Sequence, residues 1–130
     1  VASPNLLLNK PKINKPSDIT NFNILEHSEV PLVWAQAFDR LQINPEDVPR
    51  SIQWDFYSVL IRSACVGLGL ALIPECFITE ELKSGDLVRV LDYSQTISRA
   101  YYFVFSEEHQ DDELISQFRN WLKPQTIATE

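Results

Sequence analysis

The sequence has few of the residues that build reactive centres, with two cysteines, two histidines and no methionine among 130 residues. Cys65 and Cys76 have no zinc-site spacing and cannot form a disulfide framework. We expect two free thiols, buried as small apolar side chains, in a reducing compartment such as the cytoplasm. His27 and His109 lie far away along the chain, and neither is placed as an obvious catalytic base. The sequence therefore predicts no metal, no cofactor and no catalytic residue.

Basic side chains are in the minority. The sequence has 11 Lys and Arg and 18 Asp and Glu, which gives a net charge of −7. This balance argues against direct nucleic-acid binding, because a phosphate-binding face needs clustered Lys and Arg. No apolar run approaches the roughly 18 residues that cross a bilayer, so we expect no membrane segment. The first residues lack the basic region of a signal peptide, so none is expected. The 45% of hydrophobic residues suit one folded domain.

Short apolar segments alternate between the strand and the helix pattern, which predicts an α/β fold. We expect an extended segment at 1–16 and a helical turn at 17–21. The strand pattern occurs at 23–27, 51–54, 70–73, 87–91 and 101–105. The helix pattern occurs at 32–41, 56–66 and 75–82, and in a terminal helix stopped by Pro124.

Three helices carry specific expectations. The helix at 32–41 should bury one apolar face, made by Leu32, Trp34, Ala35, Phe38 and Leu41. The helix at 56–66 should be buried almost all round. Acidic pairs such as Asp111-Asp112, just ahead of the terminal helix, suit solvated faces or caps. The terminal helix carries an apolar stripe of five residues: Leu114, Ile115, Phe118, Trp121 and Leu122.

Gly67-Leu68-Gly69 does not fit a dinucleotide-binding loop. The third glycine is missing, and the segment would close a helix and open a strand, which is the reverse of that motif. We expect a tight turn with Gly67 at positive φ and a close backbone approach.

At residues 54–58 a predicted strand leads directly into a helix N-terminus. Exposed N–H groups and the positive end of the helix dipole suit a carboxylate or phosphate ligand, and aromatic neighbours suit the wall of a pocket. In the alternative interpretation Asp55 caps the helix, while Phe56 and Tyr57 pack in the core. A capping carboxylate would oppose an anion, and the residues alone favour this second interpretation.

Several ordered segments closely resemble the second half of the effector-binding domain of LysR-type transcriptional regulators. They are Asp55-Phe56-Tyr57-Ser58 and the segments 64–74, 81–88, 101–104 and 118–122. Together with Trp34, the first segment resembles the branch that contains glycine-cleavage and β-lactamase regulators. The resemblance covers nearly the whole chain.

The resemblance implies one lobe of a type 2 periplasmic-binding-protein-like fold, plus the C-terminal helix of the other lobe. Residues 1–4 would be a crossing strand or hinge, and 5–100 the second lobe. Residues 101–123 would be a return strand and terminal helix of the first lobe, followed by a tail at 124–130. The rest of the first lobe and the winged helix-turn-helix domain, through which DNA would be bound, are absent from this sequence.

The family binds a small-molecule effector in the cleft between its lobes and commonly forms tetramers. The resemblance therefore implies that the effector, for which an anion is one candidate, contacts Trp54, Asp55, Phe56, Tyr57, Ser58 and Tyr101. Ser3 and Pro4 would line the hinge. Without the first lobe, the stripe from Leu114 to Leu122 is expected to pair with a second copy or to swap its helix.

Two alternatives come from other classes of protein. A periplasmic-type solute-binding protein would share the fold, although the missing signal peptide weighs against it. The second alternative is an enzyme on an α/β scaffold, but the sequence contains no recognisable set of catalytic residues that would support it. The expected function is therefore that of an effector-sensing fragment of a regulator and not that of an enzyme.

Overall fold

A computed structural model describes residues 1–30, 32–49, 51–96 and 102–125. The chain divides into two compact units, Val1–Ile97 and Ser98–Glu130. The strands are β1 (Ile24–His27), β2 (Ser51–Trp54) and β3 (Leu70–Ala71). The α-helices are α1 (Pro4–Leu8), α2 (Leu32–Leu41), α3 (Tyr57–Cys65), α4 (Thr79–Ser84) and α5 (Glu113–Gln125). Short 3-10 helices lie at Pro16–Asn21, Pro45–Asp47, Glu75–Phe77 and Glu107–His109.

The first unit is built on a parallel sheet of order β2-β1-β3. Ile24 of β1 pairs with Ser51 of β2 on one side and with Leu70 of β3 on the other. Beyond β3, the carbonyl of Val1 accepts a 2.9 Å hydrogen bond from the N–H of Ala71. Helices connect the parallel strands, as such crossovers require, so the predicted α/β class is confirmed.

The start of β1 and the whole of β3 are buried on both faces of the sheet, whereas Ser51 and Gln53 of β2 are exposed. On one face Trp34, Ala37 and Phe38 of α2 pack with Ile24 and Leu70 in one apolar cluster. On the other face a second cluster contains four residues of α3 and the neighbouring strands: Leu60, Ala64, Leu25 and Ala71. Consecutive residues of β1 and β3 therefore enter opposite clusters, as the alternation of a strand requires.

Strands β1 and β2 and helix α2 confirm the sequence predictions. Trp34 and Phe38 of α2 are buried as predicted, but the prediction for Ala35 was wrong, because Ala35 is exposed and Ala37 is buried in its place. The side chain of Leu32 lies outside the described residues. The indole N–H of Trp34 donates a buried 2.8 Å hydrogen bond to the carbonyl of Leu25, which fixes the helix on the sheet.

The N-terminal prediction was wrong, because the segment expected to be extended contains α1. Ser3 is buried and its Oγ accepts a 3.3 Å hydrogen bond from the N–H of Leu6, so it caps that helix. Pro4 occupies the first turn, where its missing N–H costs nothing. The predicted turn after this segment is present, and Asp18 accepts from the N–H groups of Asn14 and Lys15, which lowers the pKa of its carboxyl.

Helix α3 is buried on one face only, so the prediction of burial all round was wrong. Phe56, Val59 and Val66 are 68%, 39% and 70% exposed, whereas Leu60 and Ala64 are fully buried. The helix predicted at 75–82 is divided at Ile78 into a 3-10 turn and α4.

The strands predicted in the second half of the chain were too long or are not strands. β3 ends at Ala71, and in the segment 87–91 only Val88 pairs, through an antiparallel bridge to Ala2. Residues 102–105 are not a strand, and Tyr101 lies outside the described residues. Helix α5 continues through Pro124 to Gln125.

The two cysteines differ in their surroundings. Both are free thiols, but Cys76 is exposed, so its predicted burial was wrong. Cys65 is half-buried, and this burial raises the pKa of its thiol. Over the ranges that the structure describes, no helix is long and apolar enough to span a membrane.

The turn between α3 and β3 confirms the structural interpretation of the two glycines. Gly67 has φ of +83°, and it ends the helix in the left-handed conformation. Gly69 lies against the chain at the start of β1, where a Cβ would stand 2.5 Å from the carbonyl oxygen of Asn23. No side chain fits there without moving one strand away from the other.

We therefore expect Gly69→Ala to lower the free energy of unfolding by about 3 kcal/mol, as overpacking of a tight site does. Gly85→Ala is the matched control. It also has a left-handed glycine, with φ of +82°, but nothing lies within 4 Å of its added Cβ. It should cost only about 1 kcal/mol, the ordinary penalty of that conformation. Urea unfolding of both variants checks the difference, and equal losses would contradict it.

Candidate functional site

The carboxyl ends of β1 and β2 lie side by side, because the strands are parallel and His27 pairs with Trp54. The next residue, Ser28, ties the two ends together. Its N–H donates to the carbonyl of Trp54 at 2.9 Å, and its Oγ donates to Oδ1 of Asp55 at 2.7 Å. This edge of a parallel sheet is the one at which α/β proteins bind ligands.

Helix α3 begins at this same edge. Phe56 is its N-cap residue, and the Phe56 carbonyl accepts from the N–H groups of Val59 and Leu60, both at 3.1 Å. The predicted cap by Asp55 was wrong, because Asp55 stands one residue too early and its carboxylate is bonded to Ser28. The N-cap residue Phe56 makes no side-chain hydrogen bond to the first turn, so no carboxylate at the N-cap position neutralises the positive end of the helix dipole.

An aromatic cluster stands beside this helix start. The ring of Tyr57 lies 4.4 Å from that of His27 and 5.1 Å from that of Phe77, measured between ring centroids. Nδ1 of His27 accepts from the N–H of Glu29 at 3.2 Å, which assigns the proton of the neutral ring to Nε2. The aromatic cluster therefore brings together the end of β1, the start of α3 and the 3-10 turn after β3.

The structure separates the predicted site residues. Asp55, Phe56 and Ser58 are exposed at the strand ends and Tyr57 is half-buried there. Trp54 instead packs against the apolar cluster between α3 and the sheet. Its buried indole N–H has no hydrogen-bond partner among the described residues.

The remaining predicted residues are Tyr101, Ser3 and Pro4. Tyr101 lies outside the described residues. Ser3 and Pro4 are occupied in starting α1, and their hinge role stays a prediction. Sequence reasoning missed Ser28, His27 and Phe77. The first two could have been found, because the predicted strands 23–27 and 51–54, once paired in parallel, end beside each other.

A cavity of about 330 Å³ opens next to Tyr57 and the end of β3. Its walls come from one face of α2, the segment 70–74 that continues β3, and the segment 89–95. Sequence patterns did not predict this cavity, since the last of these segments was expected to be partly strand.

The charged side chains of the cavity neutralise each other. Nη2 of Arg89 lies 2.6 Å from Oε1 of Glu75, and the other lining side chains that the structure describes are uncharged. Elsewhere in the described ranges, no three His, Cys, Asp or Glu side chains are grouped so that they could hold a metal ion.

The second unit contains α5 and its apolar stripe. Oδ1 of Asp112 accepts from the N–H of Leu114 at 2.8 Å, so the predicted cap by the acidic pair is confirmed. Leu114, Phe118 and Trp121 are 73%, 47% and 59% exposed. Within this unit the ring of Phe103 lies 5.4 Å from that of Phe118, which covers only part of the stripe.

Two curated relatives are similar to the chain over most of its length. The glycine cleavage system transcriptional activator homolog of Haemophilus influenzae is 25% identical over 122 residues, which cover 94% of this chain and 40% of the relative. An uncharacterized HTH-type transcriptional regulator of Sinorhizobium fredii is 26% identical over 113 residues, 85% of this chain and 38% of the relative. The chain thus spans 40% or less of these relatives.

Two solved structures from Citrobacter freundii share the fold. An effector binding domain with three amino acid substitutions has a TM-score of 0.78 at 21% identity, and the AmpR effector binding domain has 0.68 at 20%. Each match covers 95% of this chain and 60% of the solved one. The description of the matching family is "LysR substrate binding domain", and the match runs over residues 1–126. The chain therefore belongs to the LysR substrate binding domain family.

Proposed function

We propose that this chain is the effector-binding part of a cytoplasmic, DNA-binding transcriptional regulator, and that it binds its ligand without catalysing a reaction. The observation that carries the proposal is the uncapped start of α3 beside Ser28 and Asp55, at the carboxyl edge of a parallel sheet. Family membership supports it, and both curated relatives are named as transcriptional regulators. These names favour a regulator over a solute-binding protein.

The ligand site consists of the strand ends and the first turn of α3. A small anionic group of the effector docks at Ser58, whose backbone N–H and hydroxyl both lie on that turn. Phe56 and Tyr57 provide apolar contact, Asp55 borders the site, and Trp54 supports it from the core. Tyr101 completes the set, with Ser3 and Pro4 at the hinge.

Regulation follows from differential binding. An effector shifts an equilibrium between lobe arrangements only if it binds one arrangement more tightly than the other. That shift changes the shape of the oligomer and hence its affinity for DNA. The DNA itself is bound by a domain outside this sequence.

The proposal is tested by footprinting the intact regulator on its operator while organic acids and amino acids are titrated. Ligands that bind should alter the footprint, because they bias the oligomer. An unchanged footprint for every ligand that binds would overturn the regulatory role.

Ser58→Ala should weaken effector binding by about tenfold, the effect of losing one hydrogen bond to a charged group. Ser17→Ala is the matched control, because Ser17 is also exposed but precedes β1 and so belongs to the amino side of the sheet. Calorimetric titration of the intact regulator measures both affinities. Equal affinities in the two variants would contradict the placement of the ligand on α3.

Asp55→Asn should strengthen the binding of an anionic effector by roughly fivefold, because it removes about 1 kcal/mol of repulsion in a solvated site. Asparagine keeps Oδ1, so the bond from Ser28 can remain. The gain should shrink as salt is added. Asp47→Asn removes an exposed charge just before β2, at the amino side, and should change nothing. Weaker binding in Asp55→Asn would show that the ligand is cationic.

We further propose that the stripe Leu114, Ile115, Phe118, Trp121 and Leu122 binds a second copy of the chain. Leu114, Phe118 and Trp121 are exposed on one helix, and such a patch favours association.

Trp121→Gln should shift the 130-residue chain from dimer towards monomer in sedimentation velocity, with at least a tenfold rise in the dissociation constant. Gln117→Ala, on the polar face of the same helix, should leave the dimer intact. A monomeric parent chain at high concentration would contradict this surface.

A further inference from the structure

The cavity beside Tyr57 differs in chemistry from the helix start that would hold an anion. Val33, Trp34 and Ala37 of α2 form one wall, and Leu72 and Ile73 form another. At about 330 Å³ it falls at the lower end of the volumes of small-molecule pockets. Its walls would favour an occupant that removes apolar surface from water.

Four polar side chains around the cavity are already engaged with each other or with the backbone. Glu75 and Arg89 form an ion pair at 2.6 Å, so the charge of each is compensated by the other. Nε2 of Gln95 donates to the carbonyl of Val33 at 3.3 Å, and the hydroxyl of Tyr93 donates to Oε1 of the same glutamine. A charged group entering the cavity would lose its water and would have to compete with these existing bonds, which is unfavourable.

We propose that this cavity binds an uncharged apolar part of the effector, of the size of one or two rings or a branched aliphatic chain. Tyr57 joins the two regions, because it is the first residue of α3 and also lines the cavity. The effector is therefore amphipathic, with a polar end at the strand ends and an apolar body inside the lobe. This inference rests on the proposed function in identifying the occupant as the effector.

The first test titrates toluene, an uncharged ring, into the 130-residue chain and follows amide resonances by ¹H–¹⁵N NMR. Saturable shifts are expected at Ala37, Ala71 and Tyr57, all of which line the cavity. The same titration on the longer regulator should give the same shifts. Binding to the short chain only would overturn the proposal, because it would mean that further polypeptide fills the cavity.

Two substitutions block the cavity from opposite walls, Val33→Phe from α2 and Leu72→Phe from the segment after β3. Each should weaken toluene binding at least tenfold. Ala35→Phe adds the same ring to an exposed position of α2 and should leave binding within twofold. Circular dichroism checks that each variant is folded. If one blocking variant is unfolded, the other blocking variant is used for the test. Equal binding in blocked and control variants would show that toluene binds elsewhere and would overturn the proposal.

The link to the effector is tested on any ligand that alters the operator footprint. Val33→Phe or Leu72→Phe should raise the concentration needed at least tenfold, and Ala35→Phe should not. If the footprint responds equally in all three, the regulator function stands and the cavity is not part of its effector site. If no ligand alters the footprint while toluene still binds, the proposed function fails and the cavity remains a binding site.

Discussion

The parallel pairing of β1 with both β2 and β3 is the constraint on which the rest of the first unit depends. It requires crossovers, which α2 and α3 supply, and it places β1 and β3 between two apolar clusters. It also sends all three strands towards the same edge. The ends of β1 and β2, the start of α3 and the turn after β3 meet there as a consequence of topology.

The close approach of Gly69 to Asn23 makes this arrangement possible with such short strands. β3 has only two residues in the ladder, so a displacement of one ångström at its start would remove much of its pairing with β1. Apolar contact on both faces then holds the strand, since Leu70 and Ala71 enter opposite clusters. Backbone proximity and side-chain alternation together compensate for the few hydrogen bonds.

Much of this fold is readable from local patterns, and the failures have physical causes. β1, β2 and α2 follow hydrophobic runs whose ends carry turn residues, so their bounds were predicted closely. The signals for α1 were present in Ser3 and Pro4 but were outweighed by the prolines and lysines that follow. The surroundings of Asp55 could not be predicted, because the choice between capping a helix and bonding Ser28 depends on strand pairing across 27 residues. The extent of burial of α3 likewise depends on what covers it, which periodicity does not contain.

In the proposed ligand site, one residue has two opposing effects. Asp55 fixes the strand ends through a 2.7 Å bond to Ser28, so the start of α3 is held at a set position relative to β1 before any ligand arrives. Its carboxylate also places negative charge near the helix end that favours anions. The first effect reduces the ordering cost of binding, whereas the second lowers the affinity for every anion. The helix dipole contributes about 1 kcal/mol to anion binding at an exposed site. Repulsion from the Asp55 carboxylate largely offsets that contribution. Tight binding at the proposed site would therefore require apolar contact, and Tyr57 lies against His27 at the strand ends and also lines the cavity.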